Sequence, residues 1–320
     1  MENKGWESRF LEALYTKYPK RSHLVEALML LLKIEREAVY RRLRQDVSFT
    51  IKEIVMISSE WNISLDGITG LSSGKVPFFM QRVNYIAPSE QEVEFLRYVI
   101  QSINHFKDFA DTEFMNICNV LPRQFVAGFK YLNRFRLFKC MYQYGNEKMN
   151  VPFSKVDISK EMNKVAKEYY KAIKNVPLTN YIFDRMMFDN LVREISYFHS
   201  IHLITENEKK LIKTDLLALL EYISEIATHS CYPETQKKVN IYISHLNVDT
   251  NYSYTYTNQV SVCFVHVFDK FEIHTYDSTM VTNFIKWMQL KKRLSVQISE
   301  VDNKSRIEFF TKQQQIINTL

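Results

Sequence analysis

Leu24 to Thr69 reads LVEALMLLLKIEREAVYRRLRQDVSFTIKEIVMISSEWNISLDGIT. Apolar residues recur at helical spacing in three short runs: Leu24, Ala27, Leu28 and Leu31; Ala38, Val39 and Leu43; Ile51, Ile54, Val55 and Ile57. The first two runs meet at Leu32-Lys33-Ile34-Glu35, leaving room only for a tight turn. The third run opens on a capping box, Thr50 to Glu53, in which the Thr hydroxyl accepts the backbone amide of the third helical residue and the Glu reaches back. It ends at Asn62, a residue that tolerates a left-handed C-terminus. Upstream, Phe10, Leu11 and Leu14 give one more amphipathic face before Pro19, so residues 6 to 71 read as a string of short helices.

The helix over residues 36 to 44 presents two different faces. At about 100° per residue, Val39 and Leu43 fall together, while Glu37, Arg41 and Arg44 lie about 140–200° away. Tyr40 flanks that outer face, and Arg42 sits nearer the buried edge, where a structural or phosphate contact suits it. Ala38-Val-Tyr-Arg-Arg-Leu-Arg44 and Ile63-Ser-Leu-Asp66, in this order of elements, resemble the phage-repressor type of helix-turn-helix domain, in the variant found in regulators of the Bacteroidetes type. The resemblance covers residues 6 to 71 only. It implies that the outer face enters the major groove of duplex DNA, with Arg36, Glu37, Tyr40, Arg41, Arg42 and Arg44 as the contact set. An Arg fork matches guanine O6 and N7, Tyr can meet a thymine methyl or a phosphate, and Glu can accept from cytosine N4. One departure stands out: the turn position that is usually Gly in this family is Lys33.

A bland reading of the same helix remains open. Residues 33 to 46 hold five basic and three acidic residues, a local charge of only +2. DNA affinity comes largely from phosphate neutralisation, so this is a thin footprint. Glu37 and Arg41, four apart, also suit a simple surface pair.

Residues 72 to 88, bracketed by Pro77 and Pro88 and holding Phe78, Phe79 and Tyr85, read as a linker. Beyond it, capping boxes at Ser89–Glu92 and Thr205–Glu208 and helical patterns over 112–120, 123–143, 158–175 and 181–203 predict a helical region to residue 235. The pattern then changes. Strands are expected at 239–246, 252–256, 260–268, 271–276 and 294–299, with helices at 278–290 and 303–318. The expected fold is therefore mainly α: a helix-turn-helix bundle over 1–71, a linker over 72–88, a helical region over 89–235, and an α+β module over 236–320 with an antiparallel or mixed sheet.

The composition bounds the function. The chain has 320 residues, 46% hydrophobic and 24% charged, with a net charge of +6. These globular proportions exclude a disordered, collagen-like or rod-like chain. Only 6 Gly among them argue against a glycine-rich nucleotide-binding domain. Cys118, Cys140, Cys231 and Cys263 form no CxxC pair and read as reduced core residues. With no secretory leader and no apolar run long enough to span a bilayer, a cytoplasmic protein without a membrane partner is expected.

Three other clusters invite a functional reading. His199, His202, Glu225, His229 and Cys231 have spacings that could ligate zinc, but no local fourth partner, so packed or solvated histidines are favoured and no metal or cofactor is expected. Tyr252, Tyr254 and Tyr256 alternate on one strand face and line either a ligand or partner surface or the underside of the helices at 278–290 and 303–318. Lys286, Lys291, Lys292 and Arg293 near a helix end suit the helix dipole.

No nucleophile elbow, P-loop or zinc-protease motif is present, so no enzyme is expected. The resemblance implies a sequence-specific DNA-binding transcriptional regulator, homodimeric because a two-fold operator needs two recognition helices. Residues beyond the linker would dimerise it, sense an effector, or both. The rivals are a protein-interaction module that uses the helix-turn-helix fold for docking, and a DNA-targeted enzyme.

Overall fold

The N-terminal apolar runs form α1 (Trp6–Lys17), α2 (Arg21–Leu32), α3 (Arg36–Leu43), α4 (Ile51–Trp61) and α5 (Leu65–Thr69). The Thr50 box closes as its residues require: the Thr50 amide donates to Glu53 Oε2 at 2.8 Å, and the Glu53 amide to Thr50 Oγ1 at 3.3 Å. Ser64 caps α5 by accepting the Gly67 amide at 3.2 Å. Phe10, Leu14, Leu24, Leu28, Val39 and Ile57 form the centre of a shared core, with Phe10 and Phe49 edge to face at 5.4 Å. The turn between α2 and α3 is made by Lys33, at φ 54° and ψ 44°, in the left-handed conformation usually left to Gly.

The computed structural model describes residues 5–61, 63–69, 76–80, 88–107, 109–144, 151–267, 271–300 and 302–320. Chain contacts divide it into two units, Met1–Phe78 and Phe79–Leu320. Of the stretch read as a linker, 76–80 and the helix start at Pro88 are described. Asn62 and the Ser89 hydroxyl of the expected capping box lie outside the described residues.

The larger unit corrects the expected fold class. Its described residues form an eight-stranded mixed sheet, so the chain is α+β rather than mainly α. The strands are β1 (Phe79–Met80), β2 (Glu113–Cys118), β3 (Leu178–Phe183), β4 (Lys238–Ser244), β5 (Tyr252–Tyr256), β6 (Ser261–Val267), β7 (Phe271–Thr275) and β8 (Ser295–Gln297). Their spatial order is β1-β7-β6-β5-β2-β3-β4-β8. β2, β3 and β4 are parallel, and the remaining pairings are antiparallel.

β2 and β3 fall where helices are expected, at 112–120 and at the start of 181–203. Both are central strands; β3 is buried at every position from Thr179 to Phe183, and β2 at Met115, Ile117 and Cys118. Their sequences, EFMNIC and LTNYIF, show no clean period-two alternation of apolar and polar residues, so periodicity alone does not separate them from a helix. Because both strands lie in the same sheet as β4 to β8, the stretches 89–235 and 236–320 belong to one unit.

The helices of this unit are α6 (Pro88–Phe106), α7 (Arg123–Val126), α8 (Lys130–Tyr144), α9 (Lys160–Ile173), α10 (Met187–Ser200), α11 (Glu206–His229), α12 (Ser278–Arg293) and α13 (Asn303–Asn318). β2 to β3 to β4 step across the sheet in one direction, and the helices of their two crossovers pack on one face. There Tyr181, Phe183, Val239 and Ile241 pack against α8, α10, α11 and α13. On the opposite face Met115, Ile182, Tyr242 and Tyr254 pack against Val281, Phe284 and Met288 of α12. The Thr205–Glu208 capping box starts α11 as expected. No helix among the described residues is long and apolar enough to cross a membrane.

Candidate functional site

α3 buries Val39 and Leu43 and exposes Arg36, Glu37, Arg41 and Arg44, with Tyr40 half-buried beside them. The arginines differ in what holds them. Arg42 is engaged structurally: Nη2 and Nε donate to the two carboxylate oxygens of Glu53 at 2.8 and 3.2 Å, and Nη1 donates to the Ala38 carbonyl at 3.1 Å. Burial works to raise the Glu53 pKa, but the Arg42 pair and the Thr50 cap outweigh it and hold the carboxyl below its usual range. Arg42 thus ties α3 to α4.

Arg44 donates to Asp46 at 2.9 Å and to Glu37 at 3.0 Å, all three being exposed. Solvent screens such pairs, so they yield to a stronger acceptor. Arg36 and Arg41 make no ion pair among the described residues. The Arg21 guanidinium lies 5.3 Å from the Tyr40 ring centre, which brings a further cation beside the α3 face. Arg21 belongs to another helix start, and only the α2–α3 packing reveals it.

The tyrosine row divides by depth. Tyr254 is fully buried; its hydroxyl donates to Glu113 Oε1 at 2.9 Å and accepts from Gln289 Nε2 at 2.6 Å. Tyr252 packs edge-on to Trp287 at 4.9 Å, beneath α12. Tyr256 is exposed and donates to Asn258 at 3.2 Å. α13 lies on the other face of the sheet.

The same strand turns its alternate residues, Ser253 and Thr255, into a cavity of about 190 Å³ on that other face. β2, β5, β6 and β7 form its floor, and α6, α7 and α9 its cover. Cross-strand register puts Asn116, Ser253, Phe264 and His274 in one row along the floor. At the polar end, Arg123 Nη1 lies 3.7 Å from Glu92, a carboxylate that also binds Arg136. His266 Nδ1 lies 3.6 Å from Glu272 Oε1. Burial favours a neutral Glu272, yet His266, Arg123 and His274 hold it below the usual carboxylate range. Burial pushes the Tyr169 phenol up to about 12, so it stays protonated and donates to Gln124 at 3.4 Å. These residues come from eight separate elements, and no local spacing in the sequence marks them.

No family model matches the chain, and no curated protein or solved structure does.

The remaining sequence candidates disperse. His199 Nε2 faces Glu206 at 3.2 Å. Among the described residues no three His, Cys, Asp or Glu side chains are grouped to hold a metal ion. Lys291 and Lys292 end α12 and reach back over Trp287 and Tyr242, at 5.5 and 5.6 Å from the ring centres.

Proposed function

We propose that the chain is a sequence-specific DNA-binding transcriptional regulator, acting as a homodimer on two-fold sites. The outward face of α3 carries the reading: Arg36 and Arg41 stand exposed, with no ion pair among the described residues, on a helix whose other side is sealed by Val39 and Leu43. Arg42 is spent on Glu53, so in this reading it positions the helix instead of contacting a base. Arg44 contacts DNA only after exchanging Asp46 and Glu37 for a phosphate or a guanine. Arg21, stacked near Tyr40, is placed to add a backbone contact.

The test is recovery of genomic fragments bound by the chain, followed by binding titrations on the recovered duplex. Arg41→Ala is expected to weaken specific binding by about 1–3 kcal/mol, with little change in melting temperature because the side chain is exposed. Affinity should also fall steeply with salt, at a slope near −0.9 per phosphate neutralised. Failure to enrich any duplex, or equal affinity of the Arg36→Ala/Arg41→Ala double variant, would refute the proposal.

A further inference from the structure

We infer that the cavity beneath α6 is a binding site for a small amphipathic monocarboxylate, its carboxylate on Arg123 and its apolar body between α6 and the sheet. Four observations carry this. The cavity measures about 190 Å³, and cavities of about 150 Å³ admit benzene; a ring or short chain bearing one small head group therefore fits. Its walls are mainly apolar, with Phe95, Ile103, Phe106, Phe114 and Phe264 among them. Its floor is deep because Ser253 stands in the middle of the cross-strand row, where a larger side chain would fill the space.

The fourth observation sets the head group. Arg123 Nη1 is buried and has no hydrogen-bond partner among the described residues. A buried donor left unsatisfied is costly, so the site favours an acceptor there. Arg123 and Arg136 share the one Glu92 carboxylate, which Arg136 approaches more closely than Arg123 does. Glu272, the cavity's other carboxylate, already faces His266, and His274 and Arg123 add to its field. An anion on Arg123 therefore completes the site, whereas an amine would have to compete with an imidazole and two further groups for Glu272. A carboxylate matches the guanidinium fork in plane and spacing.

The inference does not depend on DNA binding and is tested without DNA. The full chain is titrated calorimetrically with sodium phenylacetate and sodium octanoate, which separate an aryl from an alkyl body, and with phenylacetamide and phenethylamine. One carboxylate should bind with a Kd below about 1 mM. Phenylacetamide and phenethylamine should bind at least about tenfold more weakly than the carboxylate. Arg123→Gln should weaken carboxylate binding by about tenfold or more and erase the preference over the amide. Ser253→Leu, which fills the floor, should abolish binding while the chain still melts cooperatively; it decides the matter if Arg123→Gln fails to fold. Absence of binding by both carboxylates at about 10 mM, parity of the amide or the amine with the acid, an unchanged Kd in Arg123→Gln, or an unchanged Kd in Ser253→Leu would each overturn the inference.

Discussion

Lys33→Gly should stabilise the N-terminal unit, and the effect can be worked from the turn itself. Lys33 sits at φ 54° and ψ 44° between α2 and α3. Its Cβ crowds the following carbonyl there, a strain of about 1–2 kcal/mol for an L-residue. Glycine removes the strain but loses more backbone freedom on folding, about 0.5–1 kcal/mol. The balance is a gain of about 0.5–1 kcal/mol, since Lys33 is exposed and no packing is lost. The gain should appear as slower hydrogen exchange by about two- to fivefold at core amides of α3, such as Val39, which is bonded to the Glu35 carbonyl at 3.1 Å. Lys33→Ala separates backbone from charge: it removes the ammonium and keeps the Cβ, so it should give no gain. If the Gly and Ala variants exchange alike, the left-handed turn is not strained and the reasoning fails. DNA affinity per folded molecule should be the same in all three, because the turn geometry is unchanged.

Within the tyrosine row, Tyr254→Phe should cost about 1–3 kcal/mol, because Glu113 and Gln289 lose a buried partner. Tyr256→Ser should stay within about 0.5 kcal/mol, being an exposed position; urea melts that rank the two variants the other way would show the burial assignment to be wrong. Stability should also fall in acid. Glu53, held by Arg42 and Thr50, and Glu234, held by Lys174 against the opposing effect of burial, both titrate below their ordinary range. Their contributions are complete above the unfolded value of about 4.3 and are lost as pH falls through the lower folded value. Asp215, whose burial raises its pKa, works in the opposite direction. Glu53→Gln should flatten the acid limb of the melting-temperature profile, and an unchanged limb would remove the Arg42–Glu53 pair as its source.

What the sequence determined by itself is local. The Thr50–Glu53 and Thr205–Glu208 boxes are legible because both partners lie three residues apart, so the hydrogen bonds follow from the order of residues. The inward face of α3 is legible because Val39 and Leu43 are one helical turn apart. β5 is legible because its tyrosines recur at period two, and β6 because it is a short run rich in β-branched and aromatic residues. Tertiary structure alone decided the rest. β2 and β3 lack alternation because helices cover one face and α12 the other, so their strand nature depends on partners far along the chain. Alternation in β5 separates Tyr252, Tyr254 and Tyr256 from Ser253 and Thr255, but not which set meets a packed helix and which meets a cavity. That choice was made by the register of β2, β5, β6 and β7 and by α6 crossing their open face. Arg42 and Arg44, alike as letters, likewise part company only when folding brings Glu53 to one, and Glu37 with Asp46 to the other.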